Sequence, residues 1–243
     1  MLVISLAFLR MSGKGLEMTC VLASSRPGYE NIAKRLTNET GEGFFYFSNN
    51  EELTVKALNE IKPIYVFFPH WSYIIPEEIY TNFECVMFHM TDLPFGRGGS
   101  PLQNLIARGI YETQITAFRC EKELDTGPIY CKNPLFLYGT AEEIYMRVAD
   151  IIEDMIKWII ANQLKPVPQK GEGCYFPRRK PEEGNIAELE SLEKLHDYIR
   201  MLDAEGYPRA FLETKHFRLE FERASLKPGF IKADVIINRK QED

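Results

Sequence analysis

Short apolar segments alternate with segments of helical periodicity from residue 18 onward, and this alternation limits the folds available to the chain. Apolar, strand-like runs occupy residues 19–23, 44–47 and 64–68, and helix-like segments occupy residues 29–36 and 51–61. The run Ile-Tyr-Val-Phe-Phe at residues 64–68 is nearly all apolar, which is typical of a parallel strand covered on both faces. We therefore predict an α/β fold with a doubly wound, mostly parallel, Rossmann-like sheet.

The length of the chain and one proline- and glycine-rich segment predict a main domain with a small appendage. The 243 residues are 45% hydrophobic, which is enough to bury a full α/β core. Residues 166–173, Pro-Val-Pro-Gln-Lys-Gly-Glu-Gly, have the composition of a linker. We place the main domain at residues 1–176 and a small C-terminal α+β subdomain at residues 177–243, where alternating polar and apolar residues indicate antiparallel strands.

The first 17 residues permit two interpretations. Residues 2–9 form an apolar run without a basic start or a small-residue cleavage site, and the run is too short to span a bilayer. Because Gly-Lys-Gly-Leu-Glu precedes Met18, residues 1–17 are either a leader before the true start or a first strand and loop. We expect no membrane partner in either case.

Charge, cysteine content and histidine spacing bound the partners and the compartment. A formal net charge of −6 opposes a large non-specific phosphate-binding surface, so we expect no nucleic-acid partner. Five cysteines, an odd number without a Cys-x-x-Cys pair, predict reduced thiols in a cytoplasmic protein. The histidines are scattered at His70, His89, His196 and His216, so we expect no metal site.

A histidine at the end of an apolar run is the first candidate for chemistry. His89 follows the predicted strand at residues 85–88 and so lies at a sheet rim, where open α/β folds bind ligands. Imidazole titrates near pH 6.5 and can take and return protons at neutrality, and a carboxylate such as Asp125 could stabilise its charged form. The alternative is a histidine that satisfies a loop hydrogen bond and an Asp-Thr-Gly segment that makes a turn.

Three glycines follow this histidine and precede a helical pattern. Gly96, Gly98 and Gly99 would allow close backbone approach, and a helix predicted from Leu102 would point its N-terminus at them. Such a site favours a carboxylate or phosphate group. The alternative is a turn without a ligand.

Two segments together resemble the folate-dependent formyltransferases. Residues 89–101, His-Met-Thr-Asp-Leu-Pro-Phe-Gly-Arg-Gly-Gly-Ser-Pro, are similar to the family pattern Asn-x-His-x-Ser-Leu-Leu-Pro-x-x-Arg-Gly-x-x-Pro, and Leu-Asp-Thr-Gly at residues 124–127 matches a second motif without a gap. The family includes methionyl-tRNA, glycinamide ribonucleotide and nucleotide-sugar formyltransferases. This variant of the pattern resembles the sugar enzymes of the pseudaminic-acid type and the formylation domains of nonribosomal peptide synthetases.

The chain departs from the family pattern at one position that concerns catalysis. Met87 stands where the resemblance implies a catalytic asparagine, two residues before His89. A thioether cannot donate a hydrogen bond to an oxyanion. Losing such a donor costs on the order of 100-fold in rate unless another donor replaces it. Thr91, Asn104 or loop amides are the candidates, and an inactive homologue is the alternative.

The resemblance implies a set of site residues and a cosubstrate, 10-formyltetrahydrofolate. The implied catalytic pair is His89 as general base and Asp125 as its partner. Residues implied in substrate binding are Thr91, Asp92, Arg97, Gly98, Gly99 and Tyr207. Residues implied in cofactor binding are Trp71, Ile74, Ile75, Gln103, Leu124, Thr126 and Gly127. No metal is implied.

The resemblance leads us to expect a sugar N-formyltransferase of polysaccharide biosynthesis. Its substrate would be the primary amine of a nucleotide-linked amino sugar, such as a UDP-4-amino-4,6-dideoxy hexose, and the resemblance leaves a homodimer open. The acidic balance and the short tail after Phe176 argue against the first alternative, a methionyl-tRNA or aminoacyl-carrier formyltransferase. The second alternative is an inactive folate- or nucleotide-binding homologue.

Overall fold

Six strands form one sheet in the structure, a computed structural model that describes residues 18–240. The strand order is β2-β1-β3-β4-β6-β7. The strands are β1 (Thr19–Ala23), β2 (Gly43–Phe47), β3 (Tyr65–Phe68), β4 (Cys85–His89), β6 (Glu112–Arg119) and β7 (Ile129–Phe136). Strands β1 to β4 pair in parallel, and β6 pairs antiparallel with β4. The predicted α/β class with a mostly parallel sheet is therefore correct.

Six α-helices and one 3-10 turn accompany the strands in the described residues. They are α1 (Tyr29–Thr40), α2 (Val55–Ile61), α3 (Glu77–Tyr80), α4 (Pro101–Ala107), α5 (Ala141–Asn162), α6 (Leu192–Arg200) and the 3-10 turn Pro181–Gly184. Helix α2 begins later than its predicted start at residue 51, because the Thr54 hydroxyl accepts a hydrogen bond from the Ala57 amide at 3.1 Å and caps the first turn. Within residues 18–240, no helix has the length and apolar character needed to cross a membrane.

The parallel strands are buried because their side chains are apolar on both faces. Val21, Val66, Phe68 and Cys85 are fully buried in one cluster with residues of the adjoining helices. Phe67, on the opposite face of β3, is also fully buried. Its ring lies near those of Phe44, Tyr65 and Phe88, with centroids 5.4 to 6.4 Å apart. This two-sided burial explains the near-continuous apolar runs of the sequence.

Two smaller sheets involve the C-terminal part of the chain. Strands β9 (Ala210–Glu213), β10 (Phe217–Lys227) and β11 (Phe230–Arg239) form an antiparallel sheet in the order β11-β10-β9. The short strand β5 (Arg97–Gly98) pairs in parallel with β8 (Tyr175–Phe176). The alternation seen near the C-terminus of the sequence thus corresponds to an antiparallel hairpin.

The described residues divide into two compact units. The first unit contains residues 18–89, 116–132 and 151–169, and the second contains residues 90–115, 133–150 and 170–240. Strands β6 and β7 and helix α5 contribute residues to both. The domain boundary at residue 176 stays a prediction. The two interpretations of residues 1–17 lie outside the described residues.

The burial of Phe67 predicts a large loss of stability on truncation. Phe67→Ala should lower the free energy of unfolding by about 3–5 kcal/mol, because it removes a ring from a site enclosed by three other rings. Trp158→Ala is the control, since Trp158 is 58% exposed and its loss should change stability by no more than about 0.5 kcal/mol. Urea unfolding measures both, and equal effects would contradict the assignment of Phe67 to the core.

Candidate functional site

His89 is the last residue of β4 and lies between two neighbouring strands in the first unit. Strand β3 pairs with β4 on one side, and on the other side His89 pairs with Thr116 of β6. The His89 side chain is 10% exposed, and its Nδ1 atom lies 3.8 Å from Oδ2 of Asp125. The structure therefore brings together the two residues that the sequence placed 36 positions apart.

The loop that carries Asp125 is fixed by contacts within the first unit. Asp125 is buried and has a left-handed backbone with φ of 55°, a conformation that aspartate tolerates better than most residues. The Gln169 side chain donates to the carbonyl oxygens of Asp125 at 2.8 Å and of Gly127 at 2.9 Å. A Cβ atom at Gly127 would collide with the backbone oxygen of Arg119, so this position requires glycine. The sequence carried no signal for the part that Gln169 plays.

The separation of His89 and Asp125 suits electrostatic stabilisation of a histidine that gains a proton. At 3.8 Å the two atoms are within ion-pair distance but beyond an ordinary hydrogen bond. Hydrogen bonds at catalytic sites are often long without substrate and shorten when substrate binds. The arrangement can therefore accept one proton on imidazole and stabilise the resulting charge with a buried carboxylate.

Met87 and Asn104 do not supply the oxyanion donor that the family pattern implies. Met87 is partly buried and packs against the apolar cluster around β3 and β4. In the second unit, the Asn104 side-chain amide donates to the carbonyl oxygens of Gly99, Ser100 and Pro177 at 2.9 to 3.1 Å. These bonds hold the glycine turn in place, and they occupy the Asn104 side-chain amide. The Thr91 hydroxyl, also in the second unit, donates to the Gly96 carbonyl at 3.3 Å.

The aromatic loop after β3 belongs to the same edge of the sheet as His89. Sheet order reverses between β1 and β3, and in open α/β sheets ligands bind at the carboxyl ends of strands at such a point. Trp71 is partly buried, with ring centroids 5.7 Å from Phe68 and 5.1 Å from Tyr73. Ile75 is buried in the core, whereas Ile74 is 94% exposed. Of the predicted cofactor residues in this loop, Ile75 supports the loop and Ile74 offers a bare apolar surface.

The second predicted cofactor segment has a similar exposed apolar residue. Leu124 is 64% exposed, next to the buried Asp125. The Thr126 hydroxyl donates to the Glu123 carbonyl at 2.9 Å and so stabilises the loop. Exposed apolar surface at Leu124 and Ile74 fits the face of a flat heterocyclic ring of the folate type.

The predicted substrate glycines lie in the second unit and serve a backbone contact. A Cβ atom at Gly98 would lie 2.5 Å from the Phe176 oxygen, and one at Gly99 would lie 2.5 Å from Cα of Arg178. The Gly99 amide donates to the Phe176 carbonyl at 3.0 Å. The lack of side chains at these glycines therefore lets β8 pack beside the turn. This packing explains why glycine stands at both positions, and no bound anion is needed to explain it.

Three further predicted residues of the second unit also make contacts within the fold. The Arg97 guanidinium donates to the Tyr175 hydroxyl at 3.4 Å. Gln103 is buried and donates to the Met201 carbonyl at 3.2 Å. The Tyr207 hydroxyl is 2.7 Å from that of Tyr145. Their predicted ligand roles stay predictions, and Asp92 is the exposed member of the substrate set.

A second histidine, His70, lies in the aromatic loop and is held neutral. Packing around its ring lowers the His70 pKa from 6.5 to about 3, and the charge of Arg26 adds to this effect. The Tyr29 ring contacts it edge-on at 5.7 Å between centroids. The sequence showed His70 only as an isolated histidine. The lowered pKa makes His70 a poor candidate for a proton acceptor at neutral pH.

The pKa of His70 predicts a pH dependence of stability. Because the folded-state pKa lies below the unfolded value, the unfolded chain takes up the extra proton, and stability falls as pH drops below 6.5. His70→Asn should remove this contribution, and asparagine tolerates the left-handed backbone of residue 70. Between about pH 7 and pH 5, the wild type should lose roughly 1–2 kcal/mol more than the variant in urea unfolding. Parallel pH profiles would contradict the assignment.

Known proteins with related chains identify the family. The model of the family described as "Methionyl-tRNA formyltransferase, C-terminal domain" matches residues 181–238. A solved structure titled "Methionyl-tRNA formyltransferase from Clostridium thermocellum" is 50% identical, with a TM-score of 0.89 over 92% of this chain and 100% of that chain. A 4-N formyltransferase from Francisella tularensis is 16% identical, with a TM-score of 0.64 over 83% of this chain and 94% of that chain, and shows likeness of fold alone.

Curated relatives are similar over part of their length. A methionyl-tRNA formyltransferase of Thermodesulfovibrio yellowstonii is 26% identical over 196 residues, which are 77% of this chain and 63% of the relative. That of Thermus thermophilus is 28% identical over 185 residues, which are 74% of this chain and 60% of the relative. The chain thus spans less than two thirds of the length of these relatives.

These relatives overturn two expectations from the sequence. The expectation of a nucleotide-sugar substrate is wrong, because the 50% identical relative and the curated relatives are methionyl-tRNA formyltransferases. The expectation of no nucleic-acid partner is wrong for the same reason. It depended on the net charge, which averages over the chain, whereas residues 217–240 alone contain six lysines and arginines and three acidic residues.

The expectations of the formyltransferase family, an enzyme of that class and its cosubstrate are confirmed. The motifs around His89 and Asp125 carried that resemblance. A relative that is 50% identical to this chain, and whose whole length the chain covers, shows membership of the family. The protein belongs to the family of formyltetrahydrofolate-dependent formyltransferases.

Proposed function

We propose that the protein transfers a formyl group from 10-formyltetrahydrofolate to the α-amine of an aminoacyl-tRNA, with methionyl-tRNA as the acceptor. The observation that carries this proposal is the combination of a buried His89–Asp125 pair with 50% identity to a methionyl-tRNA formyltransferase along that relative's whole length. The match of residues 181–238 to the C-terminal domain of such enzymes supports it independently.

In this proposal, His89 is the general base for the acceptor amine. An amine must lose a proton as it forms a bond to the formyl carbon, and the imidazole of His89 accepts that proton. The Asp125 carboxylate then stabilises the imidazolium from 3.8 Å. The bond between the formyl carbon and the folate nitrogen would then break, and the imidazolium of His89 would give the proton to that nitrogen, which leaves as the amine of tetrahydrofolate.

The fit of the cosubstrate depends on surfaces in the first unit. Bound 10-formyltetrahydrofolate supplies the formyl group, attached to nitrogen. Ile74 and Leu124 would contact its ring system, and the Trp71 ring, held between Phe68 and Tyr73, would support that contact. A ring system bound there would exclude water from this surface, and this would favour proton transfer to His89 over exchange with solvent.

The proposal keeps the cytoplasmic location expected from the cysteines. All five cysteines are free thiols in the structure. Free buried thiols such as Cys20 and Cys85 persist where the environment is reducing.

Formylation of charged tRNA tests the proposed function directly. The purified full chain, 10-formyltetrahydrofolate and methionyl-tRNA should yield formylmethionyl-tRNA, detected by mass spectrometry of the released amino acid. N-acetylmethionyl-tRNA, whose amine is blocked, and uncharged tRNA should gain no formyl group. Absence of product with methionyl-tRNA, while the protein binds the folate, would overturn the assignment of the acceptor.

A histidine variant tests the proposed general base. His89→Ala should lower kcat by about 100-fold to 10,000-fold with methionyl-tRNA, because no other group replaces the imidazole as proton acceptor. His216→Ala is the matched control, since His216 is exposed in the second unit and should leave kcat unchanged. A His89→Ala enzyme with wild-type kcat and an unchanged circular dichroism spectrum would remove His89 from the mechanism.

A further inference from the structure

The segment that carries Gln169 runs antiparallel to the loop that carries Asp125, and both belong to the first unit. The Ile129 amide donates to the Val167 carbonyl at 2.7 Å, and the Val167 amide donates to the Ile129 carbonyl at 2.8 Å. This reciprocal pair fixes the register of the two segments. Two residues further along its own segment, Gln169 therefore comes to lie beside Gly127.

One nitrogen atom of Gln169 makes both contacts with the Asp125 turn. Its Nε2 donates to the Asp125 carbonyl at 2.8 Å and to the Gly127 carbonyl at 2.9 Å. A primary amide has two N–H groups on its nitrogen and none on its oxygen. Because both acceptors are carbonyl oxygens, the nitrogen must face them. An ionised carboxylate, which has no hydrogen, and a hydroxyl, which has one, cannot make this pair of bonds.

The two bonds flank a backbone conformation that needs support. Asp125 has φ of 55°, and a residue other than glycine keeps such a backbone only where its surroundings impose it. Strand β6 limits the turn at Gly127, where a Cβ atom would collide with the Arg119 oxygen, and the Arg119 amide donates to the Pro128 carbonyl at 2.8 Å. Gln169 holds the carbonyl groups on both sides of Thr126.

The position of this turn sets the distance between the two members of the proposed catalytic pair. His89 is fixed by its strand, whereas Asp125 is carried by the turn. Their closest side-chain atoms are 3.8 Å apart. At an effective dielectric constant of about 20, a retreat of the carboxylate by about 2 Å would weaken its stabilisation of the imidazolium by about tenfold.

We propose that Gln169 is a positioning residue of the formyl transfer, and this inference rests on the proposed function. Its two N–H groups hold the turn so that the Asp125 carboxylate stays within ion-pair distance of His89. Gln169 acts through Asp125 and neither takes nor gives a proton. The hydrogen-bond donors of its side chain, more than its bulk, are what the reaction requires.

Steady-state kinetics of two Gln169 variants test this role. Gln169→Glu keeps the size of the side chain but donates no hydrogen bond when ionised, so kcat with methionyl-tRNA should fall by about tenfold to 100-fold and KM should change by less than about threefold. Gln169→Ala removes the same bonds without adding a charge and should lower kcat by a similar factor. Lys165→Ala is the control, because Lys165 is exposed in the same segment. Wild-type kcat in both Gln169 variants would overturn the positioning role and keep the proposed function.

A double-mutant cycle separates positioning of Asp125 from general support of the fold. If Gln169 acts through Asp125, adding Gln169→Ala to Asp125→Asn should lower kcat by less than about twofold further, because the group that it positions is already lost. A general loss of structure would instead multiply the two effects. A further loss of about tenfold in the double variant would therefore overturn the proposal.

The NMR signals of the His89 ring test the same link without an acceptor. Asp125→Asn should shift these signals, and Gln169→Ala should shift them in the same direction, because both changes take the carboxylate charge away from the ring. The signals of His216, which is exposed in the second unit, should stay in place and serve as the internal control. Unchanged His89 signals in Gln169→Ala would overturn the positioning role, even if the protein formylates no tRNA.

Discussion

Strand β4 is buried on both sides and ends at His89, the general base of the proposed mechanism. Its backbone pairs with β3 in parallel and with β6 antiparallel, so the position of His89 is set by two ladders of hydrogen bonds. Cys85 and Val86 of this strand are fully buried in the core. A rigid strand whose last side chain reaches the sheet rim is a precise way to hold a general base.

The second member of the pair depends on a loop instead of a strand. Asp125 has a left-handed backbone, and Gly127 two residues later tolerates no side chain. The Leu-Asp-Thr-Gly motif therefore has the residues that this tight turn requires. Gln169 then holds the turn with two hydrogen bonds from a segment 44 residues further along the chain than Asp125. The motif residues thus shape the backbone that holds Asp125 in the position used by the proposed mechanism.

Net charge misled the assignment of substrate, and the reason is physical. Binding to a charged partner depends on the local field over distances of about 10 Å or less at ordinary salt, not on the sum over all residues. Residues 217–240 are basic while the whole chain has a net charge of −6. A count of charges by segment removes the argument from net charge against the tRNA alternative.

The sequence by itself determined the fold class and the strands from β1 to β4, and it singled out His89 and Asp125 as the proposed catalytic pair, because periodicity and short motifs are local properties of the chain. Only the tertiary structure decided what Gly98, Gly99 and Asn104 do. Each of them contacts a segment more than 70 residues away in the sequence, around Phe176 to Arg178. Contacts between distant segments are set by packing of the whole chain, and no local pattern encodes them.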